Sequence, residues 1–280
     1  MANTFAAELI MKASMGTAAR VIMNKFAPLR YFARQWSVDP LSPKSTVVVK
    51  LAIAGSATLE DTDNFQQGDS VIEAVEVPVV QITQPWEIPT KDLNSGFAVQ
   101  DLAETNADIF CAAVQKKINA VMTTANFPAV PVTSNPAAFG LDGVATLYGQ
   151  LKKAGRKYLI LDGDYFGYIA SKPGFDSKRP FGWDGVADNT EWTGAEANVA
   201  GIAFNPNAIA IAGGLPAKSP FGGSTSIVGQ STILIEGMEF QAQHSIWYVN
   251  RTRSIWASLD IVFGAKKGDG TAAVLIKRPA

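Results

Sequence analysis

The chain has 280 residues, 24 Lys or Arg against 25 Asp or Glu, and a formal charge of -1. That balance excludes electrostatic capture of nucleic acid or of an anionic lipid surface as a basis for tight binding. One Cys and one His exclude an intrachain disulfide framework and any zinc site built on two histidines. The length suffices for one large domain or two modest ones, each with a real core. With 47% apolar and only 18% charged residues, much surface is left for stable protein contacts, although an ordinary well-packed globule fits the same composition.

The charge is unevenly placed. Residues 1–50 carry seven bases against Glu8 and Asp39, whereas residues 51–90 carry seven acids (Glu60, Asp61, Asp63, Asp69, Glu73, Glu76, Glu87) and no base. Phe5, Leu9, Ile10, Met15, Val21, Ile22 and Phe26 recur near helical spacing, with Asn3 or Thr4 as a cap, so residues 4–26 are expected to form an amphipathic helix that needs a partner surface. Glu8, Lys12 and Arg20 interrupt this run and no basic stretch precedes it, which argues against a signal peptide or a membrane span. Pro28, Pro40 and Pro43 then make residues 27–45 an extended arm or linker.

Residues 46–54 are dense in β-branched types, and residues 71–84 repeat that character with Val71, Ile72, Val75, Val77, Val79, Val80 and Ile82. Two antiparallel strands joined by an acidic tip account for both, the nine-residue strand over 46–54 reaching about 30 Å. A lone ribbon is marginal in water, so it must lie on its own body or on a neighbour. From Ala98 to about Thr123 the positions Val99, Leu102, Asn106, Ile109, Ala113, Ile118 and Val121, with Phe110 and Val114 beside them, trace a helical stripe. Asp101, Glu104 and Asp108 early and Lys116 and Lys117 late suit the helix dipole. At 1.5 Å per residue such a helix spans about 39 Å, most of the width of a subunit with a radius of gyration near 19 Å, roughly. It reads as a spine.

Beyond Pro128, Pro131 and Pro136 come a helix over 141–153, a buried strand at 158–161, a helical piece at 164–170 and a loop-rich stretch at 171–199. Residues 207–212, 231–241, 245–259, 261–264 and 272–277 are strand-like, with a turn at 267–270.

The chemistry-bearing residues are few. Cys111 falls on the apolar side of the spine and reads as a small buried hydrophobe, the alternative being a reactive thiol. His244 lies in a strand-like run and reads as structural, the alternative being the base of a Ser-His-Asp triad. Asp61 with Asp63, and Asp162 with Asp164, suit turns or caps better than a metal loop. No P-loop, dinucleotide fingerprint, nucleophile elbow or His-Glu-x-x-His occurs, so no catalytic, cofactor or metal residue is assigned. A carboxylate-dependent hydrolase needs only two suitably spaced acids and stays open.

The order of elements resembles the tailed-phage major capsid proteins, the Hong Kong 97 type coat fold. Residues 88–94 (IPTKDLN) resemble the start of that family's spine helix. Residues 162–167 (DGDYFG) and 204–210 (FNPNAIA) resemble pieces of its axial domain, and 260–265 (DIVFGA) with 272–277 (AAVLIK) resemble its closing strands. The resemblance covers nearly the whole chain. It implies an α+β Hong Kong 97-like capsid fold divided into an N-terminal arm (1–45), an extended two-stranded loop (46–89) and a peripheral domain with the spine helix (90–140). An α/β axial domain (141–244) and C-terminal strands returning to the peripheral domain (245–280) complete it.

The implied function is a coat protein that self-assembles as hexamers and pentamers into an icosahedral virion shell around double-stranded DNA, with assembly in the host cytoplasm. The implied partners are other copies of the chain, a separate scaffolding protein, a portal and DNA bound without sequence specificity; no membrane and no cofactor are expected. In that fold the long loop of one subunit lies over its neighbour. Arg20, Lys25, Arg30 and Arg34, with Lys12 on the same arm, are therefore expected to meet Glu60, Asp61, Asp63, Asp69, Glu73 and Glu76 across each contact, charge setting register and apolar faces supplying affinity. The loop has Asn64 near its tip but no Lys between Lys50 and Lys91, so an isopeptide cross-link from a loop lysine is not expected. An encapsulating nanocompartment shell is the nearer rival, and a decoration protein the more distant one.

Overall fold

The computed structural model describes residues 2–53, 71–88, 96–151, 155–173, 175, 180–217, 226–235, 240–249 and 254–279. The chain is a mixed α+β structure whose longest strand organises most of the rest.

That strand is β12 (Ser254–Lys267), if strands are counted along the chain. One of its edges carries β4 (Val80–Ile88) from Ile255 to Phe263. The other edge carries β11 (Phe240–Val249) up to Asp260 and then β9 (Ile209–Gly214) from Val262 onward, all antiparallel. Strand β10 (Ser226–Ile235) closes one side beside β11, and β1 (Ala33–Trp36) adds in parallel to β9 on the other. The arm region after the first helix is thus shorter as an open linker than its prolines suggest. Pro28 opens a 3-10 turn over Ala27–Tyr31, and the next four residues join the sheet.

Two long helices cover one face of this sheet: α1 (Ala2–Lys25) and α2 (Gly96–Asn119). At 1.5 Å per residue, each 24-residue helix runs about 36 Å. The buried side of α2 is Val99, Ala103, Asn106, Ala107, Phe110, Cys111, Val114 and Ile118, whereas Ile109 is half exposed. The apolar stripe expected from spacing is therefore rotated toward Ala103, Ala107 and Cys111. The reason is α1, which buries its own small residues Ser14, Thr17 and Ala18 beside Ile10, Val21 and Ile22. Small side chains let two backbones approach, and residues as large as Ile109 would hold them apart. Phe26 seals the end of α1 on Phe240, with ring centroids 4.8 Å apart.

A second sheet runs β5-β13-β8-β6-β7. Its members are Val132–Thr133 (β5), Tyr158–Leu161 (β6), Gly185–Asp188 (β7), Val199–Phe204 (β8) and Ala273–Lys277 (β13). Helices α3 (Pro136–Gln150) and α4 (Gly163–Ala170) pack on it around Phe139, Leu147, Leu159, Leu161, Tyr165 and Trp183. Strands β6 and β8 are buried along their whole length, so they show no alternation of apolar and polar residues. Tyr31 stacked on Tyr158 at 4.3 Å and Phe32 stacked on Phe204 at 4.6 Å join the two bodies.

The third unit is a ribbon. Strand β2 (Thr46–Ile53) pairs antiparallel with β3 (Val71–Pro78), from Thr46 opposite Pro78 to Ile53 opposite Val71. The continuous strand expected over 71–84 is divided at Val79, where the chain leaves the ribbon and enters the large sheet as β4. Val49, Leu51, Val75, Val77 and Val79 pack on Ala210, Ala212 and Val262, so the ribbon rests its root on the body.

Candidate assembly surface

Arg20, Lys25, Arg30 and Arg34 have partners inside the chain. Arg20 Nη2 lies 3.4 Å from Glu104 Oε2, and Lys25 Nζ lies 3.6 Å from Asp108 Oδ1, linking α1 to the acidic half of α2. All four side chains are about half exposed or more, so each pair contributes little, on the order of 0.2–1 kcal/mol. The helix pair is held mainly by its apolar seam and by Gln115 Nε2, which donates to Lys25 O at 3.1 Å. Arg30 donates to the Tyr31 hydroxyl at 3.0 Å, its guanidinium 5.0 Å from that ring, and Arg34 donates to Arg30 O at 2.9 Å.

Of the acids assigned to the loop, Glu60, Asp61, Asp63 and Asp69 lie outside the described residues, as does Asn64. Glu73 and Glu76 are exposed on β3. They sit on opposite faces of the ribbon, because Glu73 is the partner of Leu51 and Glu76 of Val48, and neighbouring strand positions alternate sides. Val48 and Ile72, both exposed, share the outer face with Glu76 and with Lys50. That face is part apolar and part charged, and Val48, Lys50, Ile72 and Glu76 are all exposed among the described residues.

A cleft of about 640 Å³ lies where the C-terminal end of α2 meets the exit of the ribbon. Pro78, Val80, Val121 and Phe263 give it apolar walls, and Lys117, Lys266 and Lys267 line it as well. No described carboxylate pairs with these lysines. Sequence reasoning missed this grouping: Lys117 reads as a helix-end charge and Lys267 as part of a turn, and only the fold brings them together.

The remaining polar residues do structural work. Cys111 is buried, and its desolvation pushes the thiol well above its ordinary range. His244 is enclosed between the sheet and α1, with Nε2 3.2 Å from Ser14 Oγ, and burial lowers its pKa to about 4. Asp162 caps α4 by accepting from Asp164 N at 3.1 Å, and Arg278 approaches both carboxylates, at 3.0 and 3.5 Å. Glu196 accepts from Thr124 and from Lys277 Nζ, the latter at 2.7 Å. Those hydrogen bonds hold its pKa down near 2 and tie the end of α2 to β13. Among the described residues no cluster of three metal-ligating side chains occurs, and no helix is long and apolar enough to cross a membrane.

This mixed α+β structure matches capsid-protein folds among solved structures. A virus-like particle from Pyrococcus furiosus superposes with a TM-score of 0.56 at 13% identity, covering 94% of this chain and 96% of that one. A chain from Gordonia phage Cozz gives 0.52 at 11% identity, over 92% and 87%. The capsid of Ralstonia phage GP4 gives 0.50 at 8% identity, over 91% and 89%. No protein-family model and no curated protein matches the sequence.

Proposed function

We propose that this chain is the major capsid protein of a tailed bacteriophage, a structural protein that assembles with copies of itself into the icosahedral shell around double-stranded DNA. The observation that supports this most is end-to-end likeness: the fold matches a virus-like particle chain and a phage capsid chain over about nine-tenths of both partners. In this reading residues 1–45 are the arm, 46–89 the loop, 90–140 the peripheral domain with the spine, 141–244 the axial domain and 245–280 the closing strands. A scaffolding protein, a portal and packaged DNA are the further partners, and the shell forms in the host cytoplasm.

The acidic loop is the intersubunit element. Arg20, Lys25, Arg30 and Arg34 all have partners within the chain, so the three lysines of the cleft join them as bases that meet a neighbour's Glu60, Asp61, Asp63, Asp69, Glu73 and Glu76. Opposed charges set register and encounter rate, while Val48 and Ile72 bring the apolar area. Electron microscopy of the purified chain, alone and with its scaffold, tests the proposal by the presence of closed particles. A solitary monomer under all assembly conditions would overturn it. Particles filled with one enzyme, not nucleic acid, would assign the chain to a nanocompartment. Replacing Glu73 and Glu76 by Lys should impair assembly, and particle yield unchanged over a range of salt would remove the charge argument.

A further inference from the structure

The central strand β12 carries an acid that has no counter-charge. Asp260 is 0% exposed. Its Oδ2 accepts from Ser258 Oγ at 2.6 Å, and Thr83 on β4 also hydrogen-bonds the carboxyl. Its Oδ1 has no partner. Directly across the β11–β12 ladder stands Gln243, whose buried Oε1 also lacks a partner, and two pairs along, on the same face, stands Ser245, whose buried hydroxyl lacks one too. Opposed residues of an antiparallel pair hold their Cβ atoms about 4.5–5.5 Å apart. Two acceptor oxygens thus share one buried space, and an orphaned buried acceptor costs about 1–3 kcal/mol.

One hydrogen satisfies both atoms. We infer that Asp260 is held in the fold as the neutral acid and donates its proton to Gln243 Oε1, so that β4, β12 and β11 are fastened by a proton-dependent clasp. The inference concerns the sheet itself and stands whether or not the chain builds a shell.

The surroundings favour the neutral form. Gln243 and Ser245 face Asp260 from β11, Gln81, Thr83 and Pro85 line the same side of β4, and Ser258 and Val262 flank it on its own strand. None of these titrates. His244 projects to the other face, toward Ser14, and α2 lies on that other face too, where Gln84 donates to Asn106 Oδ1 at 2.9 Å. Glu73 and Glu76 of β3 stand exposed on the ribbon. Burial accordingly raises the Asp260 carboxyl above its ordinary 3.8, with the hydrogen bonds from Ser258 and Thr83 opposing. A raised folded pKa gives stability that is complete below the unfolded value and is lost as pH rises through the folded value, the proton leaving to solvent.

The test compares the full chain with Asp260→Asn, whose amide donates permanently to Gln243. The infrared difference spectrum of the folded chain, taken at a pH above the ordinary 3.8, should show the carbonyl stretch of a protonated carboxylic acid in the wild type only. From 3.8 up to the folded pKa of Asp260 the two unfolding equilibrium constants should diverge by up to about tenfold per pH unit, the variant becoming the more resistant, and above that pKa the difference should stay constant. Parallel pH profiles would overturn the inference. So would an ionised-carboxylate band assigned to Asp260, which the rival arrangement predicts, with the Gln243 amide turned to donate. If the variant does not fold, carbon NMR of the wild type still decides: an aspartate carboxyl that titrates with the exposed aspartates at position 260 refutes the clasp.

Discussion

Gly264 marks the place where the ribbon leaves the sheet, and its replacement by Ala is a sharp test of how the ribbon is seated. A Cβ at this position would stand 2.2 Å from Pro78 O, 3.0 Å from Pro78 C and 3.1 Å from Val77 Cγ1. Ordinary contact begins at 3.4 Å, so the Pro78 carbonyl must retreat by 3.4 - 2.2 = 1.2 Å. It has little freedom to do so, because Val79 N donates to Ser45 O and Lys44 N donates to Val79 O, both at 3.0 Å. Overpacking of this kind costs about 1–3 kcal/mol. The loss of a glycine's freedom in the unfolded chain returns about 0.4–1 kcal/mol. The net expectation is a destabilisation of about 1–2 kcal/mol, read as a lower urea midpoint for the unassembled chain. Gly16→Ala is the control. Gly16 sits within α1 with nothing inside 4 Å of the added methyl, so the same change should stabilise by about 0.5–1 kcal/mol. If Gly264→Ala unfolds at or above the wild-type midpoint, the close seating of the ribbon on β12 is wrong.

Leu51→Ala removes a fully buried side chain from the ribbon's root and should cost about 2–5 kcal/mol by denaturant unfolding, with loss of particles if the ribbon bridges subunits. His244→Gln keeps a polar group beside Ser14 but cannot ionise. Because burial lowers the His244 pKa from 6.5 to about 4, its neutral form gives stability that is complete above 6.5 and is lost as pH falls toward 4. The wild type should lose about 3 kcal/mol across that window relative to the variant, measured by unfolding at several pH values. Asp162→Ala removes the cap of α4 and one partner of Arg278, and a loss of about 1 kcal/mol in thermal or denaturant stability is expected.

The parts of the fold most legible in the sequence are those with a period. The two long helices, the paired ribbon strands and the buried run at 158–161 all follow from spacing, β-branching and proline placement. Strand β8, Val199–Phe204, has no alternation either, and unlike the run at 158–161 its apolar stretch is diluted by Ala200, Gly201 and Ala203, so it was hidden. Strand β1 was hidden by the prolines around it, since its partner among the described residues, β9, lies far along the chain. The rotated face of α2 depended on α1, which supplies a second packing surface that no single-helix pattern encodes.

The site was less legible than the fold. Sequence alone could separate basic from acidic segments but could not show that Arg20 and Lys25 meet the spine's own acids, nor that Glu73 and Glu76 point to opposite sides of the ribbon. The convergence of Lys117, Lys266 and Lys267 joins positions about 150 residues apart, which composition cannot reveal. Cys111 was placed from the apolar side of its helix and His244 from a strand-like run, and both side chains are buried in the fold.

The contact between Ser14 and His244 spans 230 positions. Helix α1 is translated before the strand that carries His244. At about 5–20 residues per second, it waits on the order of 10–50 s for that seat. Throughout that interval the helix lacks the surface that buries Ser14 in the finished fold.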